Sequence, residues 1–213
     1  MSNIVIFGGT GYSGGNIARE ALARGHSVIS YSRHEPAQPI ERVTYRFASL
    51  EDDAALDRAA ADADDLVVAL HASDYPGGLA GRVPALVEAA RRHEARLSFV
   101  GGAASSLVND EGLRLLDTPE FREEWKAEAT AHAEVLDAMR EAPADLTWFY
   151  VSPAALYGSF APGETTGAYR IGGDRLVTKA DGSSEISGTD FALAFVDEIE
   201  RKAHPRQRFT VGH

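Results

Sequence analysis

Three glycines spaced three apart, Gly8, Gly11 and Gly14, are the residues of this chain most plainly suited to chemistry. They lie between a β-branched apolar run, Ile4 to Phe7, and a stretch in which Ile17, Ala18, Ala21 and Leu22 recur at helical spacing. Gly25 stops that helix and Val28 and Ile29 begin a second apolar run, so residues 3–33 read as one βαβ unit. Glycine has three uses at such a handover. Gly8 permits a tight turn, Gly11 lets backbone approach a diphosphate, and Gly14 lets the helix pack close to the strand. The diphosphate meets the free N–H groups and positive dipole end of the first helical turn, and Thr10 and Ser13 add hydroxyl donors. A glycine motif flanked by strand, helix and second strand points to a dinucleotide.

The second strand ends at Tyr31-Ser32-Arg33, where the adenosine ribose of such a ligand lies. An acidic residue there binds the 2′-hydroxyl of NAD, whereas an arginine accommodates the 2′-phosphate of NADP. Arg33, with Ser32 beside it, therefore favours NADP(H) over NAD(H), and Glu35 opposes that preference. The alternative reading of Arg33 is a surface arginine at a strand end.

The elements that must position these residues follow from the rest of the chain. Its 213 residues suit a single domain, 1–213, able to bury a core without disulfides or metals. A net charge of −11 argues against nucleic acid or an anionic membrane as partner, and the absence of cysteine removes disulfides, thiolate catalysis and cysteine-ligated metal. No apolar run approaches membrane-spanning length, the first strand begins too early for a signal peptide, and cytoplasmic residence is the expectation. Further strands are expected at Val43 to Phe47, Leu66 to Leu70, Leu97 to Val100, Leu146 to Val151 and Arg208 to Val211. Helices are expected at Glu51 to Asp62, Leu79 to Glu94, Pro119 to Glu141 with Pro119 in its first turn, and Phe191 to Lys202 capped by Thr189 or Asp190. Residues 154–184 break the rhythm with glycines, prolines and short β-like runs at Ala168 to Ile171 and Leu176 to Thr178. Alternating strand and helix predict an α/β fold with a parallel, doubly wound sheet of Rossmann type. Ligands of such sheets bind beyond the carboxyl ends of the strands, so the loops at Gly8, Arg33, His71, Gly101 and Ser152 should surround one crevice, roofed by 154–184.

The chain resembles the atypical short-chain dehydrogenase/reductases with an NAD(P)H-binding Rossmann fold, and among them the NmrA-like group named for NADH-flavin reductases. The resemblance spans nearly the whole chain. It rests on Gly8-Gly-Thr-Gly11-Tyr-Ser-Gly14, Val100-Gly-Gly-Ala103, Asp117-Thr-Pro-Glu-Phe121 with Trp125-Lys126, Val151-Ser-Pro-Ala-Ala155, and Gly167-Ala-Tyr-Arg-Ile-Gly-Gly-Asp174 with Arg206-Gln-Arg-Phe-Thr210. It implies a cofactor on the glycine loop and a nicotinamide near His71, Gly101 and Pro153. The expected cofactor-binding set is Gly8, Thr10, Gly11, Tyr12, Ser13, Gly14, Ser32, Arg33, Leu70, His71, Gly101 and Pro153. The resemblance also implies relatives that reduce flavins or quinones and relatives that only sense NADP(H).

Short-chain dehydrogenases of the usual kind place a tyrosine four residues before a lysine that lowers the phenol's pKa. The seven tyrosines here are followed at that spacing by Asn16, Glu35, Ser49, Leu79, Ala154, Ala161 and Gly173. Hydride can pass directly to an electron-poor ring with water supplying the proton, so a flavin, quinone or similar small molecule is the expected acceptor. His71 and Lys126 are the candidates for a catalytic role. His71 either donates to substrate or ribose or is a loop histidine doing neither, and Lys126 either contacts cofactor or pairs with Glu123 or Glu128. Tyr75, Trp125, Tyr157 and Phe160 either form a flat wall for an acceptor ring or simply pack. Ser105 and Ser106 read as turn residues or substrate donors, His26, His132, His204 and His213 as structural, and no metal site is expected. A monomer or a homodimer fits the composition.

Three other functions could use the same residues. Gly11-Tyr-Ser13-Gly-Gly15 matches the nucleophile elbow of hydrolases, but there an earlier loop supplies part of the oxyanion hole. A non-catalytic NADP(H) sensor needs the cofactor loop and no dyad, as does a reductase or isomerase of some specialised metabolite. A phosphate-binding P-loop is excluded by the missing G-K-[ST] ending.

Overall fold

The computed structural model describes residues 1–213. Eight strands, β1 (Asn3–Phe7), β2 (Ser27–Ser32), β3 (Val43–Phe47), β4 (Asp65–Val68), β5 (Arg96–Val100), β6 (Trp148–Ser152), β7 (Arg170–Ile171) and β8 (Gln207–Gly212), form one sheet. Its order is β3-β2-β1-β4-β5-β6-β8-β7. All pairings are parallel except β7 with β8. The chain leaves β1 toward one edge and returns beside it at β4, so the strand order reverses between them, the switch point where such sheets bind ligands.

Five helices cover the sheet: α1 (Tyr12–Ala23), α2 (Asp53–Ala61), α3 (Val83–Arg92), α4 (Lys126–Arg140) and α5 (Gly188–Arg201). Val5 and Phe7 of β1 belong to the core beneath α2, α3 and α4, whereas Ile4 and Ile6 belong to the core beneath α1 and α5. Burial on both faces is why the parallel strands read as unbroken apolar runs. Register then aligns their ends, with Phe7 level with Tyr31 and Val68, Val68 with Phe99, and Phe99 with Tyr150. The loops after Phe7, Ser32, Val68, Val100 and Ser152 consequently open along one edge.

Several boundaries differ from expectation for local reasons. Pro119 is not in the first turn of α4. It follows Thr118 in a turn closed by Phe121 N–H to the Thr118 carbonyl at 3.1 Å, a position that its fixed φ suits, and α4 starts only at Lys126. The helix expected from Leu79 is a 3-10 turn, Leu79–Arg82, followed by α3, whose first turn contains Pro84. Ser187, not Thr189 or Asp190, caps α5, its hydroxyl accepting from the Asp190 N–H at 3.0 Å. Of the two β-like runs in 154–184, Arg170–Ile171 is the antiparallel edge strand, but Leu176 to Thr178 is no strand, Leu176 instead bonding to the Leu107 carbonyl.

Candidate active site

At the switch point the chain turns through Gly8, which has φ +91, and enters α1. A Cβ on Gly14 would overlap the Gly8 carbonyl, so only glycine lets the helix sit this close to the strand. Gly11 has an ordinary φ of −80 and no side-chain cap. The first intrahelical bond runs from Gly15 N–H to the Gly11 carbonyl at 2.9 Å, which leaves the N–H groups of Tyr12, Ser13 and Gly14 ahead of it without helical partners. No acidic residue stands in that first turn. The turn is a seat for an anionic group, with the positive end of the helix behind it.

The seat opens into a crevice of about 650 Å³. Gly11, Tyr12, Ser13, Leu70, His71, Gly101 and Pro153 line it, so seven residues of the expected cofactor set share one cavity. Gly8 and Gly14 lie behind them as scaffold, and Thr10 is exposed beside them. Ser32 and Arg33 stand past the crevice at the end of β2. The Ser32 hydroxyl donates to the His34 carbonyl at 2.7 Å, and the exposed Arg33 guanidinium lies 3.9 Å from Asp74.

Trp125, Tyr157 and Phe160 also line the crevice, joined by Phe121, whose ring meets Trp125 edge-on at 6.4 Å. Trp125 is 41% and Phe160 72% exposed, which leaves their faces available to a flat ring. Tyr75 lies elsewhere, packed against the core beneath α2 and α3. The Tyr157 hydroxyl donates to the Ser13 hydroxyl at 2.8 Å, and Tyr12 accepts from the Gly188 N–H at 3.0 Å. These bonds tie the aromatic wall and α5 to the glycine turn. Lys126 stands outside the crevice. It pairs with Glu123 at 2.6 Å beside a separate hollow formed with Ser73, Gly78 and Glu134.

Sequence reasoning missed the most highly connected group of the cavity. Glu128 accepts from the N–H groups of Ala72 at 2.9 Å and Ser73 at 2.8 Å, and stands 3.3 Å from His71 and 3.1 Å from His132. Burial raises the Glu128 pKa, but hydrogen bonds from His132, His71 and Ser73 outweigh it and hold the carboxyl far below the usual range. Because the folded value is depressed, this stabilisation is present above the ordinary carboxylate pKa and is lost only as pH falls through the folded one. The Tyr150 hydroxyl lies below, donating to the His132 carbonyl at 3.0 Å, and burial pushes its phenol well above the ordinary value. The i,i+4 spacing of Glu128 and His132 was the available signal, since it puts both on one helical face.

The remaining candidates serve structure. Arg208 donates to the Ser106 hydroxyl at 2.9 Å and to the Ser105 carbonyl at 3.4 Å. His26, His204 and His213 pair with Glu200, Glu198 and Asp190 respectively. No cluster of side chains suited to a metal ion is present, and no helix is long and apolar enough to cross a membrane.

The glycine turn and the cavity beyond it agree with a family model described as NAD(P)H-binding, which matches residues 8–202. The chain belongs to this NAD(P)H-binding family. Its similarity to individual members runs end to end. The uncharacterized protein YwnB of Bacillus subtilis (strain 168) is 34% identical, with 98% of this chain and 97% of that protein aligned. A crystal structure from Burkholderia pseudomallei described as a putative exported protein is 37% identical, with a TM-score of 0.87 and full coverage of both chains. A putative NADH-flavin reductase from Streptococcus pneumoniae TIGR4 is 30% identical, with a TM-score of 0.85 and full coverage of both.

Proposed function

We propose that this protein is an NAD(P)H-dependent reductase, preferring NADPH, that passes hydride to a flavin, a quinone or a similarly flat, electron-poor small molecule. One observation carries the reading. The crevice joins an anion seat on α1 to a wall formed by Phe121, Trp125, Tyr157 and Phe160, so dinucleotide and planar acceptor would share one cavity. The similarity to a putative NADH-flavin reductase supports the acceptor class. When bound, the cofactor would supply the hydride. Gly11, Tyr12, Ser13 and Gly14 would hold its diphosphate, with Gly8 and Thr10 shaping the turn. Ser32 and Arg33 would receive the adenosine end, and Arg33 would select the 2′-phosphate by a charge-assisted hydrogen bond. Leu70, His71, Gly101 and Pro153 would surround the nicotinamide.

The whole chain, 1–213, would act as one dinucleotide-binding domain in which segment 154–184 is the acceptor-side piece, with residues 154–160 bordering the cavity. The cytoplasm, where reduced dinucleotides are supplied, would be its setting. Buried Tyr150 and half-buried Tyr157, both raised in pKa first of all by desolvation, are poor acids at neutral pH. That favours an acceptor reduced without a tyrosine proton donor. The test is NADPH and NADH consumption by the purified protein, with FMN, riboflavin and a small quinone offered separately after dinucleotide binding has been measured by fluorescence. Turnover of about 1 per second or more with one of them is expected. Tight binding without turnover on any acceptor would replace the reductase with a cofactor sensor.

A further inference from the structure

One cluster of titratable groups in the crevice lies beyond the diphosphate seat. Glu128 of α4 stands between two imidazoles, 3.3 Å from His71 Nδ1 and 3.1 Å from His132 Nε2, while also holding the N–H groups of Ala72 and Ser73. The two histidines differ in access. The His132 side chain is 12% exposed and its Nδ1 lies 3.5 Å from the Tyr150 hydroxyl, whereas His71 is 79% exposed. With Nδ1 engaged by Glu128, Nε2 of His71 is the nitrogen left for the cavity that both histidines line.

On the reductase reading given above, we propose that His71 donates the proton that completes reduction of the acceptor, and that Glu128 and His132 are positioning residues that aim it. Hydride transfer adds two electrons and one hydrogen nucleus, leaving the reduced acceptor an anion. The Nε2–H bond of the His71 imidazolium breaks, a new N–H or O–H bond forms on that anion, and the neutral imidazole regains a proton from water. The bond to Glu128 is the main cause of a raised His71 pKa, and Asp74 on the same loop adds to it. Arg33, at the end of β2, faces Asp74 and opposes it. Glu120, Arg122 and Glu124, on the approach to α4, border the same cavity, and Tyr150 beneath it is uncharged. Holding its proton to higher pH than a free imidazole does suits a group that must donate it.

Two variants and two readouts test this. In cofactor-free protein, NMR titration should place the His71 imidazole above the ordinary value of about 6.5, and Glu128→Gln should bring it back toward that value. In turnover, wild-type kcat should fall as pH rises through the His71 pKa, and the fall should begin at lower pH in Glu128→Gln. His71→Gln, a change at an exposed side chain, should lack that limb and turn over roughly tenfold or more slowly at neutral pH. Dinucleotide affinity should stay within about twofold in Glu128→Gln, and in His71→Gln, whose residue also borders the nicotinamide on the reading above, it should fall far less than kcat, separating loss of a proton donor from loss of binding. An unshifted His71 that is indifferent to Glu128→Gln overturns the inference. So does His71→Gln retaining the wild-type rate and profile, even though the reductase reading then stands. A wild-type protein that turns over no acceptor overturns both.

Discussion

The two ends of the crevice are built in opposite ways. The diphosphate seat is contiguous, a strand, a turn and the first turn of α1 within residues 3–14, and it presents backbone N–H groups. The acceptor end is assembled from separate pieces around residues 70–74, 101–104, 118–132 and 153–160, and it presents side chains. A seat of backbone amides cannot be retuned by exchanging side chains, except by obstructing it. A wall of side chains from four segments can change its ligand by single substitutions, because each segment is anchored elsewhere. On the proposed reading, the fold fixes the cofactor end and leaves the acceptor end free to vary.

Obstruction of the seat gives the largest expected effect. Gly11→Val should reduce affinity for both dinucleotides by about a hundredfold or more, because its side chain takes the diphosphate's place, while the circular dichroism spectrum stays native. Gly14→Val should instead cost the fold, since its Cβ meets the Gly8 carbonyl. If both variants bound normally, the seat would have to lie elsewhere. Arg33→Asp comes next. NADPH affinity should drop more than about tenfold with NADH spared, the loss expected for one charge-assisted bond. Equal losses for both cofactors would remove Arg33 from 2′-phosphate recognition. At the acceptor end, Trp125→Ala should raise the KM for the acceptor up to about tenfold and leave dinucleotide affinity unchanged, since one aromatic contact is worth about 0.5–1.5 kcal/mol beyond its buried area. A fall in dinucleotide affinity would erase the division between the two ends. Smallest is Tyr157→Phe, which removes the bond to Ser13 while keeping the ring. Its cost should be about 1 kcal/mol in stability by denaturant melting, with a modest loss at both ends, because this bond joins them.

How much could be read in the sequence follows the same division. The glycine turn, the parallel sheet implied by βαβ alternation and the crevice at its strand ends rest on local patterns that recur along the chain. Trp125, Tyr157 and Phe160 could be suggested as a wall because aromatics in loops are conspicuous, but nothing local separated them from Tyr75, which packs into the core. Lys126 is a candidate because the resemblance puts an active-site helix there, with an ion pair to Glu123 or Glu128 as the alternative. The turn at Thr118 and Pro119 places it at the helix's first residue, facing Glu123 and away from the cavity. Glu128 and His132 gave a spacing without a purpose, since what Glu128 binds, residues 71–73, lies over fifty residues away. Ser187 as cap was legible in Ser187-Gly-Thr-Asp190, a pattern that the more conspicuous Thr189 and Asp190 obscured.

The bond from Gly188 to Tyr12 sets a timetable for the protein's birth. Synthesis runs from the amino terminus, so the glycine turn is made early, yet its neighbours on α1 wait. Ile17, Ala18, Ala21 and Leu22 belong to a core that also needs Phe191, Phe195 and Ile199. Arg24 finds Asp197 and Glu200 only when the same late helix arrives. A nascent chain therefore carries its ligand motif almost from the start, while the part of the apolar face of α1 that packs on α5 stays uncovered until α5 has left the ribosome. The half of the molecule that looks most like a self-contained module is completed last.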